Sequence, residues 1–343
     1  MYKVSILIPI YGVEQYIERC SISLFSQSYH NLEFVFVNDC TPDQSVDLLK
    51  GVAEKYPERK GSVKIINHEK NRGLAASRNT GLDHSTGAFV VCVDSDDWLE
   101  PYAIEMLVNK QKENDADIVS GDRLIHYENE EHLFPERDYG DKDQMVLQMM
   151  QHTWDHFITG RLLRRAIFID NGLRWQEGFN VAEDRYMMTL LAYHAKAFDS
   201  VNGVVYHYER RNFNALTKAS DGKTVFRNNR QELGNILFLE QFFKGKKTVY
   251  QKECSRCVME QLKNNLQATI SFSDKKEFDH VVEIIISRGI DEQKLIGWGK
   301  NSLFGWLKHQ YGYMLLAYKK YKAIRFIRKR VKAFFCHNLF CTI

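Results

Sequence analysis

The sequence predicts an α/β protein with a mostly parallel sheet flanked by helices, followed by a helical C-terminal region. Three observations carry this prediction. Short apolar runs alternate with helical stretches through the first 120 residues. The runs are apolar at successive positions, as in strands buried on both faces. Beyond residue 150 the apolar spacing becomes mostly helical. Composition agrees with a packed domain: of 343 residues, 44% are apolar and 27% charged, with only five prolines. Such a composition argues against a disordered, collagenous or disulfide-framed chain.

The first strand is 4–8 (VSILI), and Val13, Tyr16, Ile17, Cys20 and Leu24 give 13–27 a helical face. Residues 32–37 (LEFVFV) form the second strand, followed by a helix near 43–55. A third strand at 63–66 precedes a helix at 73–84, punctuated by Gly73 and Gly87. The fourth strand is 88–93, and Pro101 opens a helix at 101–113. A fifth strand covers 116–120. Residues 122–150 read as a polar, irregular excursion near an active site. From 151 the chain is mostly helical, including 184–195, apart from a short strand at 204–208. Residues 225–343 read as all-helical.

In open parallel sheets, ligands bind beyond the carboxyl ends of the strands. Three such ends are polar here: Pro9-Ile10-Tyr11, Asn38-Asp39, and Asp94-Ser95-Asp96-Asp97. The last places three carboxylates within four positions, which need a cation, hydrogen bonds or water close by. An Asp-x-Asp at a strand end suits a hard cation, Mg²⁺ or Mn²⁺, shared with a diphosphate. Acids at a strand-to-helix turn also cap helices, and Asp97 fits that simpler role. Neither GxGxxG nor GxxxxGK[ST] is present, so no glycine-rich loop cradles a phosphate.

Four stretches together, VSILIPIYGVEQYIERCSISLFSQSY, EFVFVNDCTPDQS, NRGLAASRNTGLDHSTGAFVVCVDSDDWLEP and NVAEDRYM, resemble the inverting family-2 nucleotide-sugar glycosyltransferases with the GT-A fold. The likeness covers roughly residues 1–120 and, more loosely, 155–215. It implies a GT-A type, Rossmann-like catalytic domain at 1–215, with a nucleotide-sugar-binding half at 1–120 and an acceptor half at 121–215. Residues 216–343 would form the helical C-terminal region. By resemblance, Asp39 accepts the imide N–H of uracil and Arg78 lies beside the base. Asp94 bonds the ribose, while the backbone around Pro9 and Tyr11 borders the base. Asp96 holds Mn²⁺ or Mg²⁺, with His207 as a further ligand, and Asp184 of the Glu-Asp motif is the catalytic base. Glu183, Arg210 and Arg211 would serve the diphosphate or the acceptor.

Simpler readings stand beside these roles. Glu183 and Asp184 suit the first turn of a helix, and His207 between Tyr206 and Tyr208 suits a packed strand. Arg161 is equally an acceptor contact or a scaffold residue. Two positions depart from the family pattern: Asn38 stands where an acid is usual, and Cys40-Thr41-Pro42 replaces a small Gly-Ser turn.

The resemblance implies transfer from a nucleotide sugar, UDP-linked, to a glycan or glycolipid hydroxyl in cell-surface polysaccharide or lipid-linked glycan synthesis. The alternative is a catalytically inactive relative that binds a nucleotide sugar as a scaffold. Net charge is +3, but eleven Lys and Arg and no Asp or Glu follow Glu292, leaving the body acidic. At 303–340 aromatic residues interleave with these cations, as in a helix lying on an anionic membrane surface; no nucleic-acid motif accompanies them. The seven scattered cysteines, including Cys254-Ser-Arg-Cys257, complete no metal or disulfide pattern. No run approaches the ~20 apolar residues of a membrane span, so a cytoplasmic protein, peripheral at the inner membrane face, is expected.

Overall fold

A computed structural model describes residues 1–136, 140–151, 156–212, 221–272 and 274–288. The basic, aromatic stretch at 303–340 lies outside the described residues, as do residues 213–220.

Strands β1 (Val4–Ile10), β2 (Leu32–Asn38), β3 (Val63–Asn67) and β4 (Phe89–Cys92) alternate with helices α1 (Ile17–Phe25), α2 (Ser45–Glu54) and α3 (Leu74–His84). Parallel pairing joins β3 to β2, β2 to β1 and β1 to β4, with Val4 opposite both Leu32 and Phe89. All of β4 is buried, as is all of β1 except Pro9. Two covered faces explain why these strands are apolar throughout rather than alternating. The chain runs outward from β1 to β3, then crosses back to place β4 on the other side of β1. Strand order therefore reverses between β1 and β4, where open α/β sheets form a crevice beyond the carboxyl ends of the strands.

The opposite ends of the same strands are tied by a buried carboxylate. Glu33 at the start of β2 pairs with Lys3 Nζ at 2.8 Å and Lys64 Nζ at 3.0 Å. It also accepts from Ser5 Oγ at 2.5 Å, Thr86 N at 2.5 Å and Gly87 N at 3.1 Å. Gly87 is required by close approach, because a Cβ there would lie 2.7 Å from the Lys3 carbonyl oxygen and Ser5 Oγ.

Further along come β5 (Trp98–Leu99), α4 (Ala103–Asn114), β6 (Ile118–His126), β7 (Glu131–Phe134), α5 (Lys142–Met150), β8 (Leu162–Arg164), α6 (Arg165–Asp170), α7 (Glu183–His194) and β9 (Phe198–Glu209). The sheet order is β3-β2-β1-β4-β8-β6-β9-β5, with β7 paired to β6. Here the pairing is mixed: β8 is antiparallel to β4 and β6, β5 to β9 and β7 to β6, while β9 is parallel to β6. Residues 122–150 are thus more regular than expected. β6 continues to His126, the chain doubles back as β7, and Asp141 caps α5 by accepting from Gln144 N. β7 is almost wholly exposed, so it lacks the apolar signature that would reveal it in sequence.

Helices α8 (Gly222–Phe243), α9 (Thr248–Ser271) and α10 (Lys275–Ser287) follow. The described residues fall into two compact units, one within 1–212 and 234–254, the other within 221–233 and 255–288. Within the second, Arg230 pairs with Glu277 and the Phe226 ring meets Phe272 edge-on at 5.7 Å. Phe278, Val281, Val282 and Ile285 bury the apolar side of α10. Cys254 and Cys257 are buried thiols on α9. Among the described residues no helix is long and apolar enough to cross a membrane.

Candidate active site

The crevice is lined first by the turns that end β1 and β2. Beyond Pro9 and Ile10, Tyr11 is 52% exposed. Asn38 Oδ1 accepts from Thr41 N at 2.9 Å, and its Nδ2 donates to Asn67 Oδ1 at 2.9 Å. An acid at position 38 could accept the first of these but not donate the second. Cys40 takes the left-handed region at φ 56°, so this turn is made without the usual glycine.

Asp39 is buried and fully engaged. Oδ1 accepts from Arg72 N at 2.8 Å and faces His68 Nδ1 at 2.7 Å; Oδ2 accepts from Gly73 N at 2.7 Å. Its carboxylate therefore holds the loop entering α3, and a base N–H would have to share an oxygen already bonded. Gly73 has φ +89°, and a Cβ there would strike the Asn180 side chain at 2.4 Å.

The acid cluster after β4 has three distinct environments. Asp97 is fully buried, accepting from Tyr206 Oη at 2.5 Å and Glu209 N at 2.7 Å. It does not cap a helix, since α4 begins at Ala103; it fastens β9 to the turn. Asp96 Oδ2 accepts from Asn212 Nδ2 at 2.8 Å. Burial and the neighbouring Asp94 push its carboxyl up to about 6. Asp94 remains 31% exposed at its side chain while Oδ1 accepts from Arg78 Nη2 at 2.9 Å.

Arg78 is where the site departs most from expectation. It projects from α3 into the protein with only 1% of its side chain exposed, so its guanidinium is not presented to stack on a base. Nη1 instead donates to Glu183 Oε1 at 2.8 Å and Asp184 Oδ1 at 2.5 Å. One cation thus joins Asp94 to both acids that open α7. Burial and the adjacent Asp184 push the Glu183 carboxyl up to about 8, against the pull of Arg78. Asp184 Oδ2 also accepts from Ile158 N at 3.3 Å. Ala182, at φ 56°, turns the chain sharply into this helix.

His207 does not fit the expected metal role. Its Nε2 faces Glu100 Oε1 at 2.8 Å, its Nδ1 faces His126 Nε2 at 2.9 Å, and the ring stacks on Trp98 at 4.8 Å. Both nitrogens are occupied within the sheet, which leaves no lone pair for a cation. Arg211 pairs with Glu209 in a two-pronged contact, with Nε at 2.7 Å and Nη2 at 2.5 Å. Arg210 lies near the Tyr127 and Tyr208 rings, and its N donates to the His126 carbonyl. Arg161 is buried, with Nη2 3.4 Å from Glu136 Oε2 and Nε donating to the Phe157 carbonyl.

Sequence reasoning missed Arg19. Its guanidinium stacks over Trp98 at 3.7 Å, donates to the Asp96 carbonyl at 2.9 Å and pairs with Glu209 at 3.1 Å. Burial would raise the Glu209 carboxyl, but bonds from Arg211 and Arg19 hold it down at about 2. No local signal marks Arg19, because a lone arginine on an amphipathic helix ordinarily faces water.

The model of glycosyl transferase family 2 matches residues 5–172. The glycosyltransferase EpsJ of Bacillus subtilis is 30% identical over 227 residues, covering 63% of each chain, so this chain spans less than two thirds of EpsJ. Residues 1–349 of TarS from S. aureus, solved with UDP-GlcNAc, share the fold at a TM-score of 0.66 and 18% identity, covering 94% of this chain and 92% of that one. The mannosyltransferase PcManGT of Pyrobaculum calidifontis, solved with GDP-Man and Mn²⁺, gives 0.54 at 17% identity, covering 93% and 86%. An acid cluster at a sheet reversal, the Glu-Asp pair joined to it and these matches lead to one conclusion: residues 5–172 match glycosyl transferase family 2, and the fold is that of the GT-A glycosyltransferases.

Proposed function

We propose that the protein is an inverting glycosyltransferase that moves a sugar from a nucleotide sugar, UDP-linked, to an acceptor hydroxyl, with Asp184 as base. The observation carrying this reading is the junction of Asp94 and Asp184 on one guanidinium, which brings a donor-side and an acceptor-side carboxylate to one crevice. EpsJ, whose name marks a glycosyltransferase, and TarS with UDP-GlcNAc support the class of donor.

In this reading Asp94 receives the donor ribose through the oxygen that Arg78 leaves uncovered. Asp184 accepts the proton of the acceptor hydroxyl as that oxygen attacks the anomeric carbon. The bond from that carbon to the phosphate oxygen breaks, and its electron pair departs with the nucleoside diphosphate. Attack and departure on opposite faces invert the anomeric centre.

A divalent cation fits Asp96, whose buried carboxyl is crowded by Asp94 and raised to about 6. Among the described residues no group of three or more His, Cys, Asp or Glu could hold a metal, so Asp96 would hold it with donor oxygens. When bound, Mn²⁺ or Mg²⁺ supplies charge compensation for the leaving diphosphate; GDP-Man and Mn²⁺ in PcManGT support that pairing. A glycan or glycolipid acceptor, met at the inner membrane surface by the basic stretch, completes the proposal.

The test is a panel of nucleotide sugars scored for transfer and slow hydrolysis, with Mn²⁺, with Mg²⁺ and with chelator. Turnover that requires a divalent ion and falls about 10²–10⁴-fold in Asp184→Asn is expected. Unchanged turnover in that variant would refute the base; no turnover or binding of any nucleotide sugar would refute the enzyme.

A further inference from the structure

Arg78 has work that neither donor contact nor scaffold packing explains. It offers one positive charge to three carboxylates drawn from two distant stretches, Asp94 after β4 and Glu183 and Asp184 at the head of α7. Three carboxyl groups on one buried cation are more than its single charge can balance. Burial raises both the Glu183 and the Asp94 carboxyls, so the acids compete for this one guanidinium. The fork is planar and rigid: Nη2 takes Asp94, and Nη1 takes Asp184. The spacing of these carboxylates is therefore set by the guanidinium itself.

We infer that Arg78 is a positioning residue that couples donor seating at Asp94 to placement of the base Asp184. This inference rests on the glycosyl-transfer reading but adds a linkage that the reading does not require. A nucleoside diphosphate that engages Asp94 tightens or loosens its share of the guanidinium, and Asp184 feels the change. By reciprocity, neutralising Asp184 must alter nucleoside diphosphate affinity, and Arg78 must carry that change.

The experiment is a pair of binding cycles, using UDP with Mn²⁺ and calorimetric Kd values rather than turnover. In the first, the effect of Asp184→Asn is measured with and without Arg78→Lys. Lysine keeps the charge but loses the fork, so a purely long-range charge effect would be equal in the two backgrounds. The inference expects the Kd change caused by Asp184→Asn to be at least about threefold larger with arginine in place. Equal changes would overturn it and return Arg78 to the scaffold.

Because Arg78 is buried, its variant could misfold, and the second cycle avoids it. Asp184→Asn is compared alone and with Asp94→Asn, at a partly exposed position. Loss of the Asp184→Asn effect in the Asp94→Asn background supports coupling through the fork; persistence at full size overturns it. Wild type that hydrolyses UDP-sugars yet shows flat cycles sinks only this inference. Wild type that binds no nucleoside diphosphate sinks the transfer reading and this inference with it.

Discussion

The two ends of the β1–β2–β4 sheet carry opposite charge arrangements. At the amino ends a single carboxylate, Glu33, is surrounded by two lysines, a serine hydroxyl and two backbone amides. Burial alone would raise its carboxyl, but these partners hold it well below the usual carboxylate range. At the carboxyl ends one cation, Arg78, faces three carboxylates, and Asp96 and Asp97 lie in the same turn. There burial and like charge win: Asp96 is pushed up to about 6 and Glu183 to about 8. The first end is over-supplied with partners and works for stability. The second crowds acids whose carboxyls are raised, which a substrate's cation or a shared proton can relieve, so it is suited to binding and chemistry.

That contrast can be broken by experiment. The largest effect is expected at the carboxyl ends: Asp184→Asn should lower kcat about 10²–10⁴-fold while thermal unfolding changes little. A large fall in melting temperature with kcat retained would reverse the assignment of the two ends. Glu33→Ala should do the opposite, costing about 2–4 kcal/mol in denaturant titrations by stranding buried donors.

The pH dependences should also have opposite signs. Glu33 is depressed in the folded state, so its stabilisation is present above the unfolded value of about 4.3 and is lost as pH falls through the folded one. Glu183 is raised, so its contribution is present below about 4.3 and is lost as pH rises through about 8. Relative to Glu183→Gln, wild type should therefore lose stability between these limits on alkalinisation. Melting curves of the pair across pH 4–9 check the sign, and a constant gap would mean that Glu183 does not titrate in that window. The smallest effect is expected for Lys64→Ala, about 0.2–1 kcal/mol, because that lysine is 40% exposed and screened by water.

Part of this architecture is legible in the residue pattern. The alternation of 4–8, 32–37, 63–66 and 88–93 with helices reappears in β1 to β4 with small shifts at the ends. The acid cluster stands where a strand emerges from the core, as its change from Val-Val-Cys-Val to Asp implies. The β6–β7 hairpin is not legible, because an exposed edge strand such as Glu131–Phe134 has no apolar pattern. Nor are the engagements of Asp39, His207 and Arg19, whose partners are set by neighbouring strands and helices rather than by spacing along the chain.

The sequence by itself determined which residue types stand at the strand ends, since local hydrophobic pattern decides where a parallel strand leaves the core. It also determined the order of the acids, 94, 96, 97, 183 and 184. Only the tertiary structure decided their division of labour. Asp97 became a fastener for β9, Asp96 a carboxyl crowded upward, and Asp94 a partner of Asp184 through Arg78. The physical reason is range: secondary structure follows from neighbours a few residues apart, whereas Arg78 and Glu183 are 105 positions apart. Folding alone brings such charges within hydrogen-bond distance, and burial then sets how strongly they act on one another.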